Sequence, residues 1–218
     1  MDIMFIEAKY KGKIKLPSGF TKKLPKTIGL FTTVQFVDSI ALIQKQLEEN
    51  NIKVKFFKTG HAKYKGQLLG CNIEEFKGVE AFVYIGDGMF HPKALVLKNK
   101  LPVFVFNPLN KKTGIITHQD VEILLRKQKG AYLKFLDSVK VGVLISVKPG
   151  QNRLKTALKL KSRYPDKEFF YLIADNIDFS QLENFPFIEC FVNTACPRLG
   201  LDDSISLRKP IINLELVL

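Results

Sequence analysis

The sequence predicts an α/β protein of two related lobes, each a small parallel sheet flanked by helices. Three observations carry that expectation. A strand, a helix and a second strand follow one another twice along the 218 residues. The two copies open on matching tripeptides, Ile28-Gly29-Leu30 and Val141-Gly142-Val143. Each copy then continues into further short, mostly apolar runs that read as buried strands. Strand, helix, strand in this order implies a right-handed crossover and parallel pairing.

In the first copy, Thr27 to Thr33 is a β-rich run, Val37 to Glu49 has helical amphipathic spacing, and Ile52 to Phe57 returns as a strand. Ala81 to Ile85 and Pro102 to Phe106 add buried strands to that half. The second copy reads Lys140 to Ser146 as strand, Gly150 to Arg163 as helix and Glu168 to Ile173 as strand, followed by Glu189 to Asn193 and Pro210 to Ile212. Between them His118 to Ser138 reads as a long helix interrupted at Gly130, a connector between lobes. The first 20 residues, with Gly12, Pro17 and Gly19, form a lead-in arm. The expected division is residues 1–133 for the first lobe with its arm and 134–218 for the second.

Composition narrows the function classes. Hydrophobic residues make up 46% of the chain, enough for a real core in one large or two small domains. No apolar run approaches the roughly 18 residues that a membrane span needs. The opening Met1-Asp2-Ile3-Met4-Phe5-Ile6-Glu7 lacks the basic start and apolar centre of a signal peptide, so a cytoplasmic location is expected. The formal net charge is +13, from 34 Lys+Arg against 21 Asp+Glu. Such a charge suits RNA or an acidic protein. Yet the lysines are scattered from Lys9 to Lys209 with no RNA-binding motif, so direct nucleic-acid binding is not expected. Cys71, Cys190 and Cys196 are an odd count without CxxC spacing, which argues against a disulfide framework and against a self-contained zinc site.

Functional groups of parallel α/β sheets collect beyond the carboxyl ends of strands. Four loops qualify: Tyr64 to Asn72, Ile85 to Pro92, Ser146 to Asn152 and Val192 to Ser204. Each also has an ordinary structural use. Gly66, Gly70, Gly86 and Gly88 serve turns, Lys148-Pro149-Gly150 serves as a turn ahead of a helix, and Pro197 stiffens a loop. Cys190 lies inside an expected strand and reads as a small buried hydrophobe. His91 follows a strand and reads as packed or hydrogen-bonded, while His61 and His118 read as surface residues.

Taken together, the loops resemble a known family. Gly66-Gln-Leu-Leu-Gly-Cys71 and Asn193-Thr-Ala-Cys-Pro-Arg-Leu199 resemble the second and third cysteine motifs of the diphthamide-synthesis radical enzymes, the 2-(3-amino-3-carboxypropyl)histidine synthases. Gly86 to Pro92 and Lys148 to Gln151 match intervening segments in the same order, so the resemblance runs from about Thr27 to Pro210. It implies three related α/β lobes, each giving one cysteine to a [4Fe-4S] cluster whose fourth iron binds S-adenosylmethionine. It further implies transfer of a 3-amino-3-carboxypropyl group to a histidine of translation elongation factor 2. Thiolates suit iron, and an open coordination position lets a cluster bind substrate.

By motif, the resemblance makes Cys71 and Cys196 metal ligands, and places S-adenosylmethionine contacts at Gly150, Gln151 and Arg198. Arg198 has a competing role as an ion-pair partner of Asp202 or Asp203. The residues before Thr27 are too few for a lobe and hold no cysteine, so the resemblance covers the second and third lobes only. Three readings of that departure stand side by side. A separate polypeptide carries the missing first lobe; the chain is a non-catalytic partner in a dimer; or it is a cluster-free binding or scaffold protein of the same fold. The family reading expects the Cys71 and Cys196 sulfurs about 6–7 Å apart, the reach across a cluster.

Overall fold

The computed structural model describes residues 4, 6–60, 62–70, 74–201 and 208–218. The chain divides into two compact units, residues 1–122 and 123–218.

The first unit begins with an extended arm that reaches a one-turn helix, α1 (Ser18–Thr21). Strand β1 (Thr27–Thr32) follows and is buried along nearly its whole length. A tight 3-10 segment, Val34–Ser39, leads into α2 (Ile40–Glu48), whose Ile43 and Leu47 face the core. Helix and strand here are shorter than the periodicity suggests. The first turns after β1 wind as 3-10, and β2 covers only Lys53–Lys55 because it lies at the sheet edge with a single neighbour. Strand β3 (Ala81–Ile85) is wholly buried, as a central parallel strand must be.

A helix, α3 (Phe90–Asn99), follows β3. Its start was obscured in the sequence by Pro92, which is harmless in a first turn where the backbone N–H has no helical partner. Lys100, at φ 59°, ends it in the left-handed region, and its N–H bonds to the Val96 carbonyl. Strand β4 (Val103–Phe106) then pairs with an unanticipated antiparallel edge strand, β5 (Thr113–Ile116). Too short and too exposed for a two-residue alternation, β5 is created by the turn at Asn107–Lys112.

The long helix α4 (His118–Asp137) runs without a break through Gly130. A Cβ at Gly130 would meet no side chain within 4 Å, so the glycine costs helix propensity but no packing. The division between units falls inside this helix, as does the boundary at 133/134 expected from the sequence.

The second unit is built from β6 (Lys140–Ser146), the short helices α5 (Leu154–Ala157) and α6 (Lys159–Arg163), β7 (Glu168–Ala174), α7 (Phe179–Leu182), β8 (Cys190–Asn193) and β9 (Ile211–Asn213). The helix expected from Gly150 starts only at Leu154. Gly150 at φ 78° and the bond from the Gln151 N–H to the Lys148 carbonyl make residues 148–151 a turn instead.

Strand order is β2-β1-β3-β4-β5 in one sheet and β7-β6-β8-β9 in the other, so the four parallel strands of each unit share one topology. The likeness reaches single residues. The Glu80 carboxylate accepts from the Thr27 N–H at 2.8 Å, and that of Glu189 accepts from the Val139 N–H at 2.6 Å. Each glutamate immediately precedes the third strand and ties off the start of the first. Separate apolar clusters fill the sheets, one around Leu30, Val83 and Phe106, another around Val143, Val192 and Phe135.

Candidate functional site

In the order β7-β6-β8-β9, the chain passes from β6 to β7 on one side and then returns to β8 on the other. Loops leaving the carboxyl ends of β6 and β8 therefore diverge, and the crevice between them is where ligands bind in open α/β sheets. A cavity of about 230 Å³ lies there. From the β6 side it is lined by Ser146, Lys148 and Gln151, from the β7 side by Asp175 and Asn176, and from the β8 side by Ala195 and Cys196.

The β6 loop is internally braced. The Ser146 hydroxyl donates to the Asp175 carbonyl at 3.4 Å and accepts from the Lys148 N–H at 3.2 Å. The Lys148 ammonium reaches the Asn176 side-chain oxygen. The β8 loop is braced by asparagines. Asn193 donates to the Cys196 carbonyl at 2.9 Å and accepts from the Ala195 N–H at 3.0 Å. The Thr194 hydroxyl and N–H both bond to the Leu144 carbonyl, at 2.9 and 3.0 Å. Cys196 itself is half-buried and carries a free thiol, at the start of the 3-10 turn Pro197–Gly200.

Of the residues singled out by sequence, Gln151 and Cys196 share this cavity, and Gly150 forms the turn that carries Gln151. Arg198 is exposed on the 3-10 turn and does not line the cavity. Its suggested partners Asp202 and Asp203, and Cys71 and His61, lie outside the described residues. Cys190 sits at the opposite end of β8 from the Cys196 loop and is fully buried, and that burial pushes its thiol pKa up to about 12. A thiol so placed is inert as a ligand or nucleophile. The sequence reading missed Asn213, whose amide reaches the Pro197 carbonyl at 3.0 Å from another strand.

The segment leading to Cys71 is anchored at the carboxyl end of the first sheet. Leu68 N–H bonds to the Thr32 carbonyl at 2.8 Å, and Thr32 N–H to the Gly66 carbonyl at 2.9 Å. Gln67 is buried, its side-chain oxygen accepting from the Lys63 and Tyr64 N–H groups at 3.0 Å each. Gly66 is held at φ 76° where a Cβ would press the Leu30 carbonyl, so glycine is required there. In the loop after β3, the Tyr84 hydroxyl lies 3.3 Å from His91 Nδ1 and the two rings stack. His91 is thus packed and hydrogen-bonded.

A larger cavity of about 550 Å³ lies in the first unit, between the arm and the end of β4. Among the described residues its lining includes no cysteine or histidine. Among the described residues no three His, Cys, Asp or Glu side chains assemble as a metal site.

The sequence profile of the diphthamide synthesis proteins matches residues 1–216. The chain belongs to that family. It is 33% identical over 200 residues to the 2-(3-amino-3-carboxypropyl)histidine synthase of Pyrococcus horikoshii, covering 89% of this chain and 57% of that protein. The synthase of Methanocaldococcus jannaschii is 34% identical over 152 residues, 68% of this chain and 44% of its own length. Subunit 1 of the Kluyveromyces lactis synthase is 29% identical over 192 residues. The crystal structure of Pyrococcus horikoshii Dph2 with a 4Fe-4S cluster superposes with a TM-score of 0.79 at 30% identity, covering 90% of this chain and 57% of that one. The family member described here spans about half the length of these relatives.

The donor chemistry of the described residues fits one ligand of an iron–sulfur cluster. Cys196 is a soft donor at a cavity edge, on a loop whose Ala195 N–H and Cys196 carbonyl are held by Asn193.

Proposed function

We propose that this chain is the two-lobe part of an S-adenosylmethionine-dependent 3-amino-3-carboxypropyl transferase, which acts in the first step of diphthamide synthesis. In this reading Cys71 and Cys196 hold a [4Fe-4S] cluster, and a first lobe outside this sequence brings the third thiolate. The acceptor is a histidine of translation elongation factor 2, and the assembly is a dimer working in the cytoplasm. The observation that carries the reading is the meeting of Cys196 and Gln151 on facing loops of one crevice, at the end of the sheet where such folds bind ligands.

When bound, the cluster supplies the electron that cleaves the sulfonium bond of S-adenosylmethionine. The chain's own residues do the rest. Gln151, on the turn made by Gly150, offers an amide that hydrogen-bonds the methionyl amino and carboxylate groups. The family resemblance also assigns Arg198, on the exposed turn after Cys196, to that carboxylate, a role that requires its side chain to swing toward the cavity it does not line. Lys148 is engaged with Asn176, and both line the same cavity as Gln151.

The second reading is a non-catalytic partner or a cluster-free binding protein of the same fold.

Anaerobic iron and sulfide analysis with electron paramagnetic resonance separates the two. The experiment is run on this chain alone and on the chain co-expressed with a first-lobe polypeptide. A four-iron signal that requires the first lobe and disappears in Cys71→Ala or Cys196→Ala is the expected result. No cluster in either preparation would leave the cluster-free reading.

A further inference from the structure

We infer that the Asn193–Asn213 amide pair is the positioning device for Cys196, fixing where its thiol stands at the crevice. The inference deepens the ligand reading of Cys196 and rests on it for its purpose.

Asn193 ends β8 and Asn213 ends β9, and the two are register partners in the parallel ladder. They are 2% and 6% exposed, in a sheet whose buried positions are mostly apolar. The Asn193 amide donates to the Asn213 side-chain oxygen at 2.7 Å and to the Cys196 carbonyl at 2.9 Å, while its oxygen accepts from the Ala195 N–H. Asn213 in turn donates to the Pro197 carbonyl. Two buried side chains thereby hold three backbone groups of residues 195–197, the stretch centred on the thiol. Gly200 completes the arrangement, because a Cβ there would lie 2.3 Å from the Asn213 oxygen.

Two apolar residues at 193 and 213 would fill the same space but would hold none of these groups. The first sheet makes the comparison. There Asn107, just after β4, donates to the Asp87 carboxylate in the loop after β3 at 2.7 Å. The tie between third- and fourth-strand ends exists in both units, but in the second it extends to the backbone of a cysteine. Asn213 is thus a positioning residue that acts through Asn193 and Pro197, from 17 positions beyond Cys196 in sequence.

The test uses the full chain, reduced and held metal-free with a chelator, as wild type and as Asn213→Ala. Alkylation by iodoacetamide is mapped to each cysteine by peptide mass spectrometry, and amide exchange is followed by NMR. In Asn213→Ala, the Cys196 alkylation rate should change about tenfold, and exchange at Ala195 and Leu199 should accelerate. Cys190 and the Thr194 N–H, bonded to Leu144, should stay protected. A Cys196 rate within about twofold of wild type would overturn the inference, as would equal loss of protection at Thr194 and Ala195, the mark of general loosening. If Asn213→Ala does not fold, Asn213→Ser is read by the same criteria. Failure to bind iron would count against the ligand reading without altering these rates, so the two failures are distinguishable.

Discussion

Gly142 on β6 lies directly across the ladder from Phe191 on β8, and a Cβ at Gly142 would come within 2.6 Å of the ring. Gly29 and Phe82 repeat the pair in the first sheet, at 2.8 Å. The glycine of each opening tripeptide is thus the gap that admits an aromatic ring from the neighbouring strand. Both rings are fully buried and have nowhere to retreat.

Gly142→Ala and Gly29→Ala should each destabilise the chain by about 1–3 kcal/mol, the cost of overpacking a filled core. Gly130→Ala, in the open interior of α4, should instead stabilise by about 0.5–1 kcal/mol. Urea unfolding of the three variants measures both signs, and a neutral Gly142→Ala would show that the ring is free to move.

The two described cysteines should part in stability as they do in burial. Cys190→Ser places a hydroxyl in an apolar cluster and should cost about 1–3 kcal/mol. Cys196→Ser, half-buried beside the crevice, should stay within about 0.5 kcal/mol of wild type. Denaturant midpoints at neutral pH compare them.

Lys167 is 8% exposed, and its ammonium donates to the Leu136 carbonyl at 2.8 Å and to the Ser138 carbonyl, capping the end of α4. It also sits over the Phe135 ring. Burial holds its pKa below the ordinary lysine value. Lys167→Met should destabilise by about 1–3 kcal/mol, because buried carbonyls lose their donor. Thermal unfolding and exchange at the last turn of α4 are the readouts.

Glu7 ties the arm to the turn that precedes the Cys71 segment, accepting from the Lys63 ammonium at 2.7 Å and the Tyr64 hydroxyl at 2.8 Å. The bond from Lys63, then that from Tyr64, holds its pKa below the ordinary 4.5. A depressed carboxyl stabilises the folded state above the unfolded value, and that contribution is lost as pH falls through the folded one. Arm attachment should therefore be unchanged between pH 7 and 5 and weaken only below about 4.5. Exchange at Lys63 and Tyr64 tracks it, and Glu7→Gln should remove the pH dependence.

Sequence reading succeeded where the signal was local. Ala81–Ile85 is an unbroken apolar run and Lys140–Ser146 has an apolar centre, and both are strands at the expected residues. It missed α3, where Pro92 masked the helix start, and β5, whose strand conformation depends on pairing with β4. The cysteine motifs stood out as strings of residues, whereas the asparagine pair behind one of them did not. Asn193 and Asn213 are 20 residues apart, and no periodicity links them.

The sequence by itself determined the family, the two-fold repetition of strand and helix, and the burial of Cys190. Each follows from hydrophobic periodicity and turn chemistry within a few residues, or from motifs read as strings. Only the tertiary structure decided that β7, β6, β8 and β9 lie in that order, so that Gln151, Asn176 and Cys196 face one cavity. It also decided that Asn213 holds the Cys196 loop. Those choices depend on which strands pair, a matter of long-range hydrogen bonding and ring packing that no local pattern encodes.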